Sequence, residues 1–269
     1  MKKIVSVDFY AQFGFLKKPD INDGIYLTYN CLHKPALQGI LGAILGFGGY
    51  SLEGEMEENQ IPEYREKLGG IRIGISPIKS SNGNFKKDVI RFTNTVGYAN
   101  VIVKKKQQIP STLIINEQTL IKPSYRVFIE LDINNEIESK LDLCLKNQEA
   151  EYIPYLGKND HQLWWENYVE WNIDDTDYIP EKEYNLDSIF LKPYEDEKLL
   201  KSQRRVSLGD SKEKFAYFER LPKGWHKALP HYELGEFLYT NYQLQPEAKL
   251  SGLVKIYNVQ RGNYVIQLF

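Results

Sequence analysis

Val5, Val7, Phe9 and Ala11 alternate with Ser6, Asp8 and Tyr10, and this period of two predicts a strand. A turn over Lys18-Pro19-Asp20 to Asn22-Asp23-Gly24 and a short strand over Ile25 to Tyr29 follow. Pro35 suits a first helical position, where its missing N–H would have no partner anyway. Leu37, Ile40, Leu41, Ile44 and Leu45 then recur at the spacing of one apolar helix face. Gly39, Gly42, Ala43 and Gly46 form a second stripe with almost no side chain. Each glycine weakens a helix by ~1 kcal/mol relative to alanine, so the stripe predicts close approach by another backbone or a ligand. Gly46-Phe47-Gly48-Gly49 ends the helix.

Ile71, Ile73 and Ile75 alternate with Arg72, Gly74 and Ser76, a second strand. Tyr125, Val127, Ile129 and Leu131 alternate with Arg126, Phe128 and Glu130, a third. That alternation puts Tyr125 in the core and Arg126 on the opposite face. Between these strands lies an insertion, residues 77–121, far longer than a hairpin connection. Its strand-like pieces at Asp88–Thr95, Ala99–Lys104 and Thr112–Asn116 predict an extended hairpin. Asn135 and Glu138 form a cap pair, and Ile137, Leu141, Cys144, Leu145 and Gln148 continue at helical spacing. The aromatic run Trp164, Trp165, Tyr168 and Trp171 is a fourth strand or a recognition loop.

The order strand, helix, strand, insertion, strand, helix, strand is the ferredoxin-like split βαβ pattern, an α+β fold. The expected division is a βαββαβ domain over 1–171, with the insertion at about 77–121, and a smaller β-rich region over 172–269. Residues 172–200 read as irregular and acidic. Strands return at Ala216–Leu221, Glu236–Tyr239, Leu250–Tyr257 and Tyr264–Phe269.

The net charge of −2 points to no partner, but its distribution does. Lys79 to Arg126 carries nine bases and two acids, Glu130 to Leu200 carries 19 acids and six bases, and Lys201 to Tyr232 carries eight bases and three acids. Basic segments with interleaved aromatics attract a phosphate backbone, and an acidic block faces solvent or a basic protein neighbour. Tyrosine outnumbers phenylalanine 19 to 12, which suits wet recognition surfaces. The apolar stretch from Ala36 to Tyr50 is too short to span a membrane. Asp8 breaks the apolar run after Lys2 and Lys3, so no export signal is read and a reducing cytoplasm is the expected compartment.

Several chemistries find no motif. There is no phosphate-binding G-x-x-x-x-G-K-[ST], no H-E-x-x-H and no G-x-S-x-G. Cys31 and His33 lack a second ligand pair for zinc, so neither metal nor cofactor is expected. A metal-independent ribonuclease would need a base for the 2′-OH and an acid for the leaving oxygen. Tyr29, His33 and Lys34, or His161 beside Lys158, are the candidates; the simpler expectation is that His33 serves a helix end and His161 bonds backbone. Binding has more behind it. Lys104, Lys105 and Lys106 end a strand of the insertion, where ammonium groups neutralise phosphate without reading sequence. The same lysines also suit protection of a sheet edge. Lys86, Lys87 and Arg91 share the insertion with Phe85, Phe92 and Tyr98, a mixture that suits single-stranded RNA.

Three stretches carry a family resemblance: YNCLHKPALQGILGAILGFGG over 29–49, NEQTLIKPSYRVFIE over 116–130, and EYIPYLGKNDH over 151–161. In this order they resemble the "Cas-five" subunits of CRISPR-associated Cascade complexes, within the RAMP superfamily, type I-B most of all. The resemblance spans most of residues 1–165. It implies a ferredoxin-like RAMP fold with an inserted thumb hairpin that binds and caps the 5′ handle of the CRISPR RNA (crRNA). It also implies contacts with a backbone RAMP subunit and the large subunit. The thumb and basic stretches equally suit target DNA near the target flank, so a DNA-contacting structural subunit with no RNA role is a third reading. The RNA-binding residues expected are Lys34, Arg72, Lys86, Lys87, Arg91, Lys104, Lys105, Lys106, Lys122, Arg126, Lys158 and Asn159. The type I-C branch is a processing ribonuclease that uses a tyrosine with a nearby lysine and histidine. Here no histidine accompanies Lys104 to Lys106, so a non-catalytic subunit is expected and the endoribonuclease is the alternative.

Overall fold

A computed structural model describes residues 2–20, 24–49, 61–93, 101–104, 107–110, 114–193, 214–226, 231–246 and 250–269. The chain begins with β1 (Lys2–Ala11), β2 (Phe13–Gly14), β3 (Leu16–Lys17) and β4 (Thr28–Tyr29). Helices α1 (Lys34–Leu45) and α2 (Glu63–Lys67) lead to β5 (Arg72–Pro77). The insertion holds β6 (Lys87–Thr93), β7 (Val101–Lys104), β8 (Gln107–Pro110) and β9 (Ile114–Ile121). Next come β10 (Ser124–Asp132), α3 (Glu136–Asn147) and β11 (Leu163–Asp175). The last third supplies β12 (Phe190–Leu191), β13 (Ala216–Trp225), β14 (Tyr232–Thr240), β15 (Leu253–Asn258) and β16 (Gly262–Gln267).

The helices form where the apolar spacing places them. His33 caps α1, its Nδ1 accepting the Ala36 N–H, and Gly46 closes it at φ 82°. Asn135 caps α3 by accepting from Ile137 and Glu138, while the Glu138 carboxylate accepts from Asp132 N rather than completing a reciprocal capping box. Gly42 explains part of the small-residue stripe: a Cβ there would meet the Tyr64 side chain of α2 at 2.4 Å, whereas Gly39 faces open space.

Strands β11, β1, β10 and β5 lie side by side, each antiparallel to its neighbour, with α1 and α3 as crossovers. Val5, Val7 and Phe9 of β1 bury against Leu37, Leu41 and Ile44 of α1 and Leu141 and Leu145 of α3. Tyr125 belongs to this core, and Arg126 lies on the other face. The aromatic run is strand, with Trp165 on the helix side and Trp171 on the other.

The other face is enclosed as well. β15 and β16 add to β11, and the six-stranded sheet curls until its edges meet. Phe269 and Ile73 exchange both backbone bonds, at 3.0 and 3.3 Å. Residues 187–189 fill the rest of the seam: Ile189 N donates to Ile75 O, and Asp187 N donates to Val265 O. Gly74 suits this closure, because a Cβ there would meet the Gln267 carbonyl at 2.9 Å. Ile4, Phe128, Trp171, Ile256, Ile266 and Leu268 pack inside the curl. The 171/172 boundary thus falls within β11, and two later strands complete the sheet of the first region. Strands β12, β14 and β13 form a separate sheet whose Leu221 and Phe237 join the core on the helix side. Among the described residues, no helix is long and apolar enough to cross a membrane.

Candidate nucleic-acid interface

The insertion is a two-storey hairpin. β6 pairs with β9 from Lys87↔Leu120 to Thr93↔Ile114, and β7 pairs with β8 from Val101↔Pro110 to Lys104↔Gln107. Its approach is a tight turn in which Ser81 and Asn84 exchange two 2.9 Å backbone bonds. Asn82 and Gly83 take φ 53° and 86°, the pair of left-handed positions for which Asn-Gly is favoured. Asn30 pins this root: its amide donates to Gly83 O at 2.7 Å and accepts from Phe85 N and from Lys87 Nζ, both at 2.9 Å. The Glu219 carboxylate, on β13, accepts from Asn30 N and Cys31 N at 2.9 Å and pairs with Lys18 at 3.5 Å. The root of the hairpin is therefore tied both to the loop before α1 and to the C-terminal sheet.

Nine of the twelve expected RNA-binding residues divide into two groups. Lys86 and Arg91 are exposed along β6 and its approach, Lys122 is exposed at φ 50° after β9, and Asn159 is exposed beyond Gly157. These positions are open to a ligand. Five others are engaged within the fold. Lys34 donates to Phe269 O at 2.8 Å, and Arg72 pairs with Glu130 at 3.2 Å. Lys87 is held by Asn30, and Lys158 pairs with Glu117 at 3.1 Å while lying 4.7 Å over the Phe92 ring. Arg126 forms a fork with Asp8, Nε to Oδ1 at 2.7 Å and Nη2 to Oδ2 at 2.9 Å. Each of these five cations has found a carboxylate or carbonyl on a distant part of the chain. Lys104 ends β7, while Lys105 and Lys106 lie outside the described residues. Sequence reasoning missed Asn30, Lys18 and Glu219, because no local pattern links a loop before α1 to a strand near residue 219.

The groups considered for catalysis are not assembled. His33 is buried at the helix cap with its ring 5.3 Å from Tyr29, and burial lowers its pKa to about 3. Burial likewise pushes the Tyr29 hydroxyl up to about 12. Lys34 turns to Phe269 O. His161 is buried with its backbone N–H on Lys158 O and its Nδ1 without a partner, and burial lowers its pKa. Cys31 is buried, its thiol pushed up by burial, and no cluster of metal-ligating side chains occurs among the described residues.

His33 makes stability depend on pH. The unfolded chain protonates it near 6.5 and the folded chain only near 3, so protons favour unfolding in that window. The stabilisation is present above pH 6.5 and is lost as pH falls. Asp187 acts in the opposite sense: burial raises its carboxyl to about 6, so the folded state holds a proton that the unfolded chain releases near 3.8. Comparison with His33→Asn, which keeps a capping oxygen, isolates the histidine. Between pH 7 and pH 5 the parent is expected to lose about 2 kcal/mol more than the variant, read from urea midpoints. Equal losses would show that His33 is protonated alike in both states.

Neither a family model nor a curated protein matches the sequence. Solved structures overlay on it distantly. A chain of a CRISPR RNA-guided surveillance complex is similar with a TM-score of 0.45 and 10% identity, over 90% of this chain and 91% of that one. A CRISPR protein from Archaeoglobus fulgidus has a TM-score of 0.45 and 10% identity, over 99% of both chains. A chain of the type III-B Cmr-beta complex bound to cognate target RNA and AMPPnP has a TM-score of 0.43 and 10% identity, over 91% and 86%. Likenesses at this level transfer neither residues nor roles.

Proposed function

We propose that this chain is a non-catalytic RNA-binding subunit of a CRISPR effector complex, with a ferredoxin-like RAMP core and a thumb that holds the 5′ handle of the crRNA. The observation that carries the reading is the two-storey hairpin inserted between β5 and β10 of the βαββαβ sheet, whose strand β7 ends at Lys104, the first of three consecutive lysines in the sequence. Exposed Lys86 and Arg91 continue the positive charge along it. The three stretches that resemble the Cas-five subunits lie on α1 and its approach, on β9 to β10, and on the loop before β11. They support type I-B Cascade as the setting, with a backbone RAMP subunit and the large subunit as neighbours and the cytoplasm as the compartment. Target DNA near the thumb is a further partner on this reading. The endoribonuclease alternative has less support, since His33 is buried and caps a helix.

The test is purification of the tagged chain with whatever accompanies it. Recovery of repeat-derived RNA with a common 5′ end, together with a backbone subunit, is the expected result; recovery without RNA would count against the reading. In the purified full chain, Lys104→Ala/Lys105→Ala/Lys106→Ala should weaken binding of that RNA and lower the salt slope of log K by about 2 units. An unchanged slope would return the lysines to edge protection. Incubation of the chain with repeat RNA and a chelator tests the enzyme: cleavage abolished by His33→Ala or His161→Ala would establish the alternative.

A further inference from the structure

At one end of the inner face of the curled sheet lies a cavity of about 650 Å³. Arg126 and Tyr264 line it from the sheet, and Phe215, Tyr239 and Asn241 line it from around the C-terminal sheet. Its size lies within the range of small-ligand sites, and barrel mouths are a common place for them. The lining is mixed in a particular way. The Phe215 and Tyr239 rings are 5.5 Å apart, and Tyr264 is braced edge-on against Trp171 at 4.9 Å. Asn185 and Gln243 also line the cavity, exposed amides that can each donate and accept.

The charge of the cavity narrows the occupant. The one guanidinium that lines it, Arg126, is already matched by Asp8, and Asp187 adds a carboxyl with one oxygen on Val265 N. A bare anion would gain little there. A purely apolar group would displace water from the amides without replacing its hydrogen bonds. An uncharged flat ring with donors and acceptors on its edge satisfies both walls and amides, and that is the chemistry of a nucleobase. Lys214 lines the cavity with its ammonium donating to Asn241 O at 3.3 Å, and Lys79 lies 4.4 Å over the Tyr10 ring. Tyr10 in turn pairs across the strands with Trp164, at 6.2 Å and 28°, and Trp164 is 40% exposed. Tyr10 and Trp164 follow Asp8 on the same face of the sheet, so an open stacking surface adjoins the cavity.

We propose that this cavity receives one unpaired nucleobase, with its phosphate at the rim beside Lys214 and Lys79 and the next base on Tyr10 and Trp164. For a base within a strand this rests on the RNA-binding reading; a free nucleotide is the other source of the same chemistry. The test uses the full chain and oligouridine carrying a single 2-aminopurine at successive positions. Strong quenching at two adjacent positions is expected, with that of the cavity base lost in Phe215→Leu and in Asn185→Leu/Gln243→Leu and affinity lowered by about five- to tenfold. Circular dichroism and melting confirm that these variants fold. Binding without quenching at any position, or quenching that survives at both positions in both variants, would overturn the site and leave RNA binding elsewhere intact. If the chain binds no RNA, saturation-transfer spectra with the four nucleoside monophosphates decide. Transfer lost in Phe215→Leu then supports a free-nucleotide site, and absence of transfer overturns the proposal.

Discussion

Gly157→Ala is expected to destabilise the protein by about 3 kcal/mol or more, lowering its melting temperature by roughly 10 °C. Gly157 adopts φ +90°, and a Cβ there would lie 1.7 Å from the Phe15 carbonyl oxygen and 2.6 Å from its carbon. The obstruction is backbone, so no rotamer change relieves it. The crossing chains are also joined at this point, since Phe15 N donates to Leu156 O at 3.0 Å, and Leu156 N donates to His161 O at 2.9 Å. Movement of the loop would carry Lys158 away from Glu117 and Phe92 and would unseat buried Leu156. Gly262→Ala is the control: its φ is +89° and nothing lies within 4 Å of the added carbon. That variant bears only the left-handed backbone cost of about 1–2 kcal/mol. Equal losses in the two variants would show that the crossing at Phe15 gives way easily. The consequence for function is local. Gly157 sets the position of Asn159, one of the exposed residues expected to meet RNA.

The elements most legible in the sequence are those whose signal is local. The period of β1, the Pro35 start and Gly46 stop of α1, and the opposite facing of Tyr125 and Arg126 follow from spacing and backbone preference. The extended hairpin in the insertion was legible for the same reason. What spacing does not carry is the fate of the second sheet face. Ser6 and Asp8 are the polar positions in the alternation of β1, yet they are 1% and 2% exposed. Strands from the last third of the chain enclose them, and the closing bonds join Ile73 to Phe269. The same remoteness hides from the sequence that β11 runs continuously across the expected division at 171/172 and that its next neighbour, β15, comes much later. It also explains the candidate site. Basic residues within a segment can be counted, but the acids that engage them cannot be assigned. Arg72 and Arg126 meet Glu130 and Asp8 only once the strands are in register. Lys86 and Arg91 lie on the insertion itself and stay exposed, as a projecting hairpin allows.

Asp8→Ala is expected to cost about 3 kcal/mol, and Asp8→Ala/Arg126→Met to recover most of that loss. Asp8 is nearly enclosed and accepts three hydrogen bonds, two from the Arg126 fork and one from Asn167 Nδ2 at 3.1 Å. Its removal leaves the Arg126 cation facing the inside of the curl without its partner. The Arg126 side chain keeps 19% exposure, which gives water limited access and holds the cost at the lower end for a broken buried pair. Methionine at 126 removes the stranded charge and fills similar volume, so the double variant separates the pair from the space it occupies. Urea midpoints of the four proteins give the coupling, expected at about 2 kcal/mol. Additive losses would mean that Arg126 is held by something other than Asp8. RNA affinity in the same four proteins has its own meaning. The fork fixes the plane of the guanidinium that lines the cavity, so Asp8→Ala should weaken quenching of 2-aminopurine even where Arg126 is retained. An Arg126 that binds phosphate directly would instead bind more tightly once released from its carboxylate. The sign of the change in Asp8→Ala therefore tells an arginine that braces a base pocket from one that grips a backbone.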